Sequence, residues 1–271
     1  MEDLQEKVAV ITGGASGIGL ATARRLAREG MRIVLADIER APLERAVKEI
    51  QSTGVEVLGV PTDVGERGDV ERLAEQTFES FGAAHVLFNN AGVAIFGGIE
   101  TMSHEDWEWL IRVNLWGVVH GLESFVPRMI EQDEGGHIVS TASFAGLVPN
   151  QGLGVYCATK YAVVGISEVL ARDLRQYGIG VSVLCPMIVE TNINRSARNR
   201  PAHMAGTASE VPSEVGSAPR ETVGGVIKPD DVAEKVLEGI RSGALYVLTH
   251  DASRQYIRRR FERIDKSFSQ T

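Results

Sequence analysis

The chain has 271 residues, 44% of them hydrophobic, and a formal net charge of −8 at pH 7. This length and apolar content suffice for one large α/β domain, and the acidic balance argues against a protein that binds nucleic acid through a basic face. The two cysteines, Cys157 and Cys185, form no metal or redox motif. No signal peptide or membrane-length apolar run is evident, so we expect a cytoplasmic protein without a membrane partner.

Short apolar runs alternate with longer amphipathic ones along the chain. The apolar runs predict seven buried strands, at residues 8–12, 32–37, 55–60, 85–90, 136–141, 180–185 and 244–249. The stretches between them predict helices at residues 17–30, 40–53, 66–81, 103–131, 154–177 and 229–242. This alternation predicts a doubly wound, parallel seven-stranded α/β sheet with helices on both faces, in a single domain that spans residues 1–271.

Two segments depart from this alternation. Residues 192–226 have little periodicity and many small residues, which is typical of a functional loop or a disordered insertion. From Asp251 to the end, the chain has six Arg or Lys against three Asp or Glu. We interpret residues 251–271 as a helical tail with a solvated basic face, and a partner-binding arm is the alternative.

A glycine-rich turn, TGGASGIG at residues 12–19, follows the first predicted strand and leads into the first predicted helix. Gly13, Gly17 and Gly19 permit a tight turn and a close approach of the backbone to a ligand. The free N–H groups at the start of the helix favour an anion. A plain connecting turn would need fewer glycines, so this stretch predicts a pyrophosphate site.

Asp37 stands at the end of the second predicted strand. An acidic residue at this distance from the glycine turn accepts hydrogen bonds from an adenosine ribose and repels a 2′-phosphate. We therefore expect NAD as the cofactor rather than NADP. Arg40 lies close by and is the base that would favour NADP, whereas the alternative role for Asp37 is to cap the next helix.

The run YCATK at residues 156–160 places a tyrosine and a lysine four residues apart. In a helix both side chains lie on one face. A nearby ammonium favours the phenolate form and so lowers the pKa of a tyrosine from about 10. Tyr156 and Lys160 are therefore either a tuned acid/base pair or part of an ordinary amphipathic helix.

The order of these motifs resembles that of the short-chain dehydrogenase/reductase family over about residues 6–250. The residues that carry the resemblance are TGGASGIG, Asp63-Val64, NNAG at 89–92, Asn114 in RVNLWG, Ser143 in STASFAG, and Tyr156 with Lys160. The resemblance implies a Rossmann-like fold and an NAD-dependent oxidoreductase, which transfers a hydride between the nicotinamide and a secondary alcohol or ketone.

The resemblance also implies roles for single residues. Tyr156 would be the general acid/base, and Lys160 would lower its pKa and hold the nicotinamide ribose. Ser143 would hydrogen-bond the substrate oxygen. Asn114 would carry a water relay, with a helix cap or a core hydrogen bond as the alternative. The implied cofactor-binding residues are Gly13, Ser16, Gly17, Ile18, Gly19, Asp37, Asp63, Val64, Asn90, Tyr156, Lys160, Val189 and Thr191. Met187 stands where the family has a glycine.

Residues 192–226 lie where the family places its substrate lid. Asn192-Ile193 and the run RNRP at 198–201 resemble a subgroup that oxidises bulky secondary alcohols, including benzylic ones. The family also often forms dimers and tetramers through a long helix. The resemblance therefore implies a homodimer or homotetramer, with Trp116, Val119 and Phe125 as candidate contacts. No metal is expected, because the six histidines have no metal-ligand spacing.

Two alternatives remain open at this point. One is an NADPH-dependent ketone reductase, which would use the same side chains in the reverse direction. The other is a non-catalytic dinucleotide-binding sensor or scaffold. A sensor needs the glycine turn but not the set Asn114, Ser143, Tyr156 and Lys160, so the presence of all four favours an enzyme.

Overall fold

The structure is a computed structural model, and it describes residue 1, residues 3–204 and residues 224–270. Seven parallel strands form one sheet. They are β1 (Val8–Thr12), β2 (Arg32–Asp37), β3 (Val57–Pro61), β4 (Val86–Asn89), β5 (Gly136–Thr141), β6 (Ile179–Cys185) and β7 (Tyr246–Leu248). Their order across the sheet is β3-β2-β1-β4-β5-β6-β7. The predicted doubly wound, Rossmann-like sheet is therefore confirmed.

Helices cover both faces of this sheet. The α-helices of the described residues are α1 (Gly17–Arg28), α2 (Arg40–Gln51), α3 (Arg67–Phe81), α4 (His104–Ile111), α5 (Gly117–Glu131), α6 (Gly154–Asp173), α7 (Pro229–Ser242) and α8 (Ser253–Asp265). The chain order reverses at β1, which pairs with β2 on one side and with β4 on the other. Such a switch point opens a crevice at the carboxyl ends of the strands, where ligands bind in sheets of this kind.

The core consists of two apolar layers, one on each face of the sheet. Successive residues of a strand point to opposite faces. Along β1, Val8 and Val10 accordingly join one layer, while Ala9 and Ile11 join the other. Both layers are apolar, and this explains why the strands read as continuous hydrophobic runs rather than as alternating ones.

The region predicted as one helix at residues 103–131 is divided in the structure. A π-helical segment, Arg112–Trp116, separates α4 from α5. Ser103 caps α4 with a capping box, in which its hydroxyl accepts a hydrogen bond from the backbone N–H of Asp106. A π-helical segment adds a residue to a turn, so it changes the direction of the side chains without ending the helix. The hydrophobic pattern alone cannot show such an insertion.

Other predictions need smaller corrections. Phe125 was a candidate contact between subunits, but it is 0% exposed and packs against Phe78, with the ring centroids 6.4 Å apart. It belongs to the core beneath α5. The third strand begins at Val57 instead of residue 55, because pairing with β2 begins there. It ends at Pro61, which an edge strand tolerates.

The two segments that broke the sequence pattern are partly described. In the lid, 3₁₀ turns cover Ile193–Asn199 and Ala202–Met204. The remainder of the predicted lid from residue 205 to residue 223 lies outside the described residues. In the predicted helical tail, α8 is followed by a 3₁₀ turn at Lys266–Gln270. Among the described helices, none has both the length and the apolar character needed to cross a membrane.

Candidate active site

The glycine turn lies at the carboxyl end of β1, at the switch point of the sheet. Gly13 and Gly17 have positive φ angles of 63° and 53°, which L side chains rarely adopt. A Cβ atom added to Gly19 would lie 2.2 Å from the backbone oxygen of Gly13. Ile18 and Gly19 open α1, and Ser16 precedes it with an extended backbone. The first N–H groups of α1 therefore lie close to a turn whose shape requires glycine.

Asn90 and Thr12 brace this turn from the end of β4. The side-chain amide of Asn90 donates hydrogen bonds to the carbonyl oxygens of Thr12 and Gly13, at 3.0 and 3.3 Å. The Thr12 hydroxyl accepts hydrogen bonds from the backbone N–H groups of Asn90 and Ala91. Asn90, proposed from the sequence as a cofactor contact, thus also fixes the shape of the turn. We had assigned Thr12 no role, and its place at the start of the motif was the only signal for one.

Asp37 is 9% exposed at the end of β2. Its carboxylate accepts hydrogen bonds from the backbone N–H groups of Ala15 and Glu39, both at 3.0 Å. Burial raises the pKa of Asp37, and these two hydrogen bonds oppose that change. The bond to Ala15 places the carboxylate directly beside the glycine turn. This contact joins the two sequence features from which NAD was predicted.

Asp63 and Val64 follow β3 and contact the π-helical segment and α5. Arg112 donates from one nitrogen to the Asp63 carboxylate at 2.8 Å and to Glu66 at 2.7 Å. The backbone oxygen of Val64 accepts a hydrogen bond from His120 at 2.9 Å. No sequence pattern predicts the Arg112 contact. It connects the loop after β3 to the π-helical segment.

Asn114 lies within that π-helical segment and is 0% exposed. Its side-chain oxygen accepts a hydrogen bond from the backbone N–H of Val93 at 2.8 Å. Its amide nitrogen donates to the oxygen of Val93 at 2.9 Å and to the Thr159 hydroxyl at 3.3 Å. Asn114 therefore joins the loop after β4 to α6, as the core hydrogen-bond alternative anticipated. The water relay remains a prediction.

Ser143 and Tyr156 meet at the carboxyl edge of β5. Ser143 follows β5, and its hydroxyl accepts a hydrogen bond from the backbone N–H of Ala145 at 3.1 Å. Tyr156 lies in the first turn of α6. Burial raises the pKa of Tyr156 to about 12, and a side-chain hydrogen bond from Ser143 opposes this change. Burial therefore dominates, and the pKa of Tyr156 moves in the direction opposite to the one that we expect from Lys160.

Lys160 lies one turn beyond Tyr156 on α6 and is 3% exposed. Its ammonium group donates a hydrogen bond to the backbone oxygen of Thr141 at 2.8 Å and lies 5.6 Å from the centroid of the Tyr156 ring. Burial lowers the pKa of Lys160 to about 8. A Cβ atom added to Gly92 would lie 3.3 Å from the Asn114 oxygen and 3.6 Å from the Lys160 nitrogen. The side chains of Asn114 and Lys160 therefore both lie next to Gly92 in the NNAG run.

The segment after β6 completes the edge of the site. Val189 forms an isolated parallel bridge with Ile227. A Cβ atom added to Gly17 would lie 3.2 Å from the Thr191 side chain, so Thr191 lies over the glycine turn. Met187 does not prevent this arrangement, since its backbone N–H donates to the Thr249 hydroxyl at 3.2 Å.

The first described part of the lid, residues 192–204, is anchored at three points near the same edge. The Ser196 hydroxyl accepts a hydrogen bond from the backbone N–H of Ala94 at 3.2 Å. Arg198 forms an ion pair with Glu39, and Arg200 forms one with Asp106. No partner was predicted from the sequence for any of these side chains. The run RNRP was the only signal for the two arginines.

The chain is similar to known proteins in both sequence and structure. The family model described as short chain dehydrogenase matches residues 7–202. A C alpha-dehydrogenase from Sphingobium sp. (strain NBRC 103272 / SYK-6) is 37% identical over 266 residues, which cover 97% of this chain and 87% of that protein. A CLA biosynthesis dehydrogenase/reductase from Lactiplantibacillus plantarum is 35% identical over 271 residues, which cover 97% and 95% of the two chains.

Solved structures show the same likeness. A short-chain dehydrogenase/reductase from Burkholderia phymatum, crystallised in complex with NAD, superposes with a TM-score of 0.93. It is 41% identical in sequence, and the match covers 98% of this chain and 97% of the other.

Proposed function

This chain belongs to the short-chain dehydrogenase family, whose members named above are dehydrogenases and reductases. From that premise we propose that it is an NAD-dependent oxidoreductase, which transfers a hydride between the nicotinamide and a secondary alcohol or ketone. The observation that carries the proposal is the meeting of Ser143, Tyr156 and Lys160 at the strand edge that also bears the glycine turn. The nicotinamide, when bound, supplies the hydride acceptor or donor.

Tyr156 moves the proton in this proposal. Its pKa of about 12 keeps the hydroxyl protonated at neutral pH, so it can donate a proton to the oxygen of a ketone that is being reduced. In alcohol oxidation the same oxygen must accept a proton, which requires positive charge nearby to stabilise the phenolate. Ser143 lies close enough to Tyr156 to lower its pKa, and we propose that it would also hold the substrate oxygen.

Lys160 supplies that positive charge. With a pKa of about 8, the buried amine is still mainly protonated at pH 7. The ammonium group uses one hydrogen on Thr141, which leaves two hydrogens for other acceptors, and we assign these to the nicotinamide ribose. Asn114 keeps the loop after β4 against α6 and so maintains the position of the lysine.

The residues at the strand edge fit a dinucleotide. A glycine-rich turn lies at the start of α1, where a pyrophosphate would bind, and the Asp37 carboxylate lies beside it, where it would accept hydrogen bonds from the ribose. We propose the cofactor contacts assigned from the sequence, including Asp63, Val64, Val189 and Thr191. The Burkholderia phymatum relative was crystallised with NAD, which supports NAD over NADP for this chain.

For the substrate we propose a bulky secondary alcohol, with benzylic alcohols as the first class to screen. The support is the RNRP run at 198–201 and the relative named C alpha-dehydrogenase. Reduction of a ketone is the second candidate, because the raised pKa of Tyr156 keeps its hydroxyl protonated. We further propose a cytoplasmic homodimer or homotetramer, in which the half-exposed Trp116 remains a candidate contact.

Tyr156→Phe tests the chemistry directly. The variant keeps the ring and removes the proton, so turnover of 1-phenylethanol with NAD should fall by about a hundredfold or more. Its affinity for NADH, followed by cofactor fluorescence, should stay within about twofold, because the hydroxyl contributes at most one hydrogen bond to binding. Tyr161→Phe, on the same helix, is the matched control and should retain activity. If Tyr156→Phe kept most of its turnover, the assigned acid/base would be wrong.

A further inference from the structure

An ion pair joins the lid to the end of β2. Arg198 donates from Nε to one carboxylate oxygen of Glu39 at 3.1 Å and from Nη2 to the other at 2.8 Å. This two-point contact links residues 159 positions apart in the sequence. The side chains of Arg198 and Glu39 are only 36% and 26% exposed. A planar guanidinium on a carboxylate in this form is a strong and directional contact.

The pair lies next to the residue that would select the cofactor. Glu39 is two residues beyond Asp37, and its backbone N–H donates to the Asp37 carboxylate at 3.0 Å. The pKa of Arg198 is raised by its hydrogen bond to Glu39 and, to a smaller extent, by the charge of Asp37. The ribose end of the proposed cofactor site therefore has two carboxylates and one guanidinium close together, with a net charge of −1.

Arg198 uses four of its five guanidinium N–H groups within the protein. Nε and Nη2 are held by Glu39, and Nη1 donates to the backbone oxygens of Asn192 and Arg195, at 3.3 and 2.8 Å. Arginine binds a phosphate with the same two-point geometry that it uses on a carboxylate. Glu39 thus occupies the part of Arg198 that a phosphate would need.

We propose that Glu39 is a second determinant of cofactor choice and that it acts by occupying Arg198. NADP differs from NAD by one phosphate on the adenosine ribose, and a free guanidinium next to Asp37 would attract that phosphate. With Glu39 in place, the charge of the guanidinium is neutralised and its Nε and Nη2 atoms are occupied. This inference rests on the proposed function, since it assumes that the ribose lies beside Asp37.

Arg40 is the competing explanation. It is the first residue of α2, is exposed, and follows Glu39 directly in the sequence. Removing the negative charge of Glu39 would also favour NADPH through Arg40, or through the change in net charge alone. The experiment therefore has to show that a gain in NADPH binding depends on Arg198.

The experiment measures dissociation constants for NADH and NADPH by fluorescence titration. The proteins are the wild type, Glu39→Gln, Arg198→Met, and Glu39→Gln combined with either Arg198→Met or Arg40→Met. Glu39→Gln should raise the affinity for NADPH relative to NADH by about tenfold or more, the effect of one charge-assisted hydrogen bond. The gain should vanish with Arg198→Met and survive Arg40→Met. Unchanged NADH binding by Glu39→Gln would show that the site is still folded.

Two results would overturn the inference. One is an unchanged preference in Glu39→Gln, and the other is a gain that persists when Arg198 is also replaced. The wild type tests the proposed function separately. If wild-type protein bound NADPH more tightly than NADH, the NAD preference itself would be wrong, whatever the variants showed.

Discussion

Lys160→Met should make the protein inactive but more stable at pH 7. Burial lowers the pKa of Lys160 from 10.5 to about 8. At about 1.4 kcal/mol for each tenfold change in proton affinity, the charged lysine destabilises the folded state by about 3 kcal/mol. Methionine has a similar length and no charge. The backbone oxygen of Thr141 loses its donor, which costs about 1–2 kcal/mol. The expected net gain is about 1–2 kcal/mol, with a melting temperature raised by a few degrees.

The direction in which stability changes with pH follows from the lowered pKa of Lys160. Between pH 8 and pH 10.5 the unfolded chain holds the Lys160 proton and the folded protein has released it. The free energy of unfolding of the wild type therefore gains a contribution as the pH rises through this window, about 2 kcal/mol by pH 9.5. Lys160→Met lacks the group and lacks this contribution. The higher free energy of unfolding of this variant relative to the wild type at pH 7 should accordingly disappear by pH 9.5.

Urea unfolding at pH 7 and pH 9.5, followed by tryptophan fluorescence, measures both effects. Lys48→Met, which removes an exposed lysine on α2, is the control and should show no such dependence on pH. Lower stability of Lys160→Met at pH 7 would refute the reasoning. A difference from the wild type that stays the same at both pH values would refute it too.

Three further variants test the turn, the loop after β3 and a buried histidine. Gly19→Ala places a Cβ atom 2.2 Å from a backbone oxygen of the turn, so the dissociation constant for NADH should rise by about tenfold or more. Gly68→Ala, which meets open space, is its control. Arg112→Met leaves Asp63 without its partner and should lower stability by about 1–3 kcal/mol and weaken NADH binding. Burial lowers the pKa of His137 to about 4, so the free energy of unfolding should fall as the pH drops from 6.5 towards 4. His137→Gln should remove about 3 kcal/mol of that pH-dependent loss.

Each of these predictions has a distinct contrary outcome. Normal NADH affinity in Gly19→Ala would mean that the turn does not contact the cofactor. Arg112→Met with unchanged stability and unchanged NADH affinity would show that Asp63 needs no partner. If His137→Gln lost as much stability in acid as the wild type, a group other than His137 would be responsible for that loss.

The fold was predictable because its elements have local signals. Predicted and observed bounds coincide for β1 and α7, where apolar periodicity ends at clear turn residues. The π-helical segment at Arg112–Trp116 was not predicted, since the apolar pattern of a helix continues across an inserted residue. Phe125 was misplaced for a related reason. An apolar residue on a helix does not show whether its face meets the sheet or another subunit.

For the site, too, the local features were predictable from the sequence and the long-range contacts were not. Motifs such as the glycine turn and YCATK are local, and each lies where a strand ends or a helix begins, so the sequence by itself determined which residues gather at the carboxyl edge of the sheet. Only the tertiary structure decided that Arg112 holds Asp63 and that Arg198 holds Glu39. These partners stand 49 and 159 positions apart. The sequence around a charged side chain does not identify a partner that is distant in the chain, because such a pairing depends on how whole helices and strands pack.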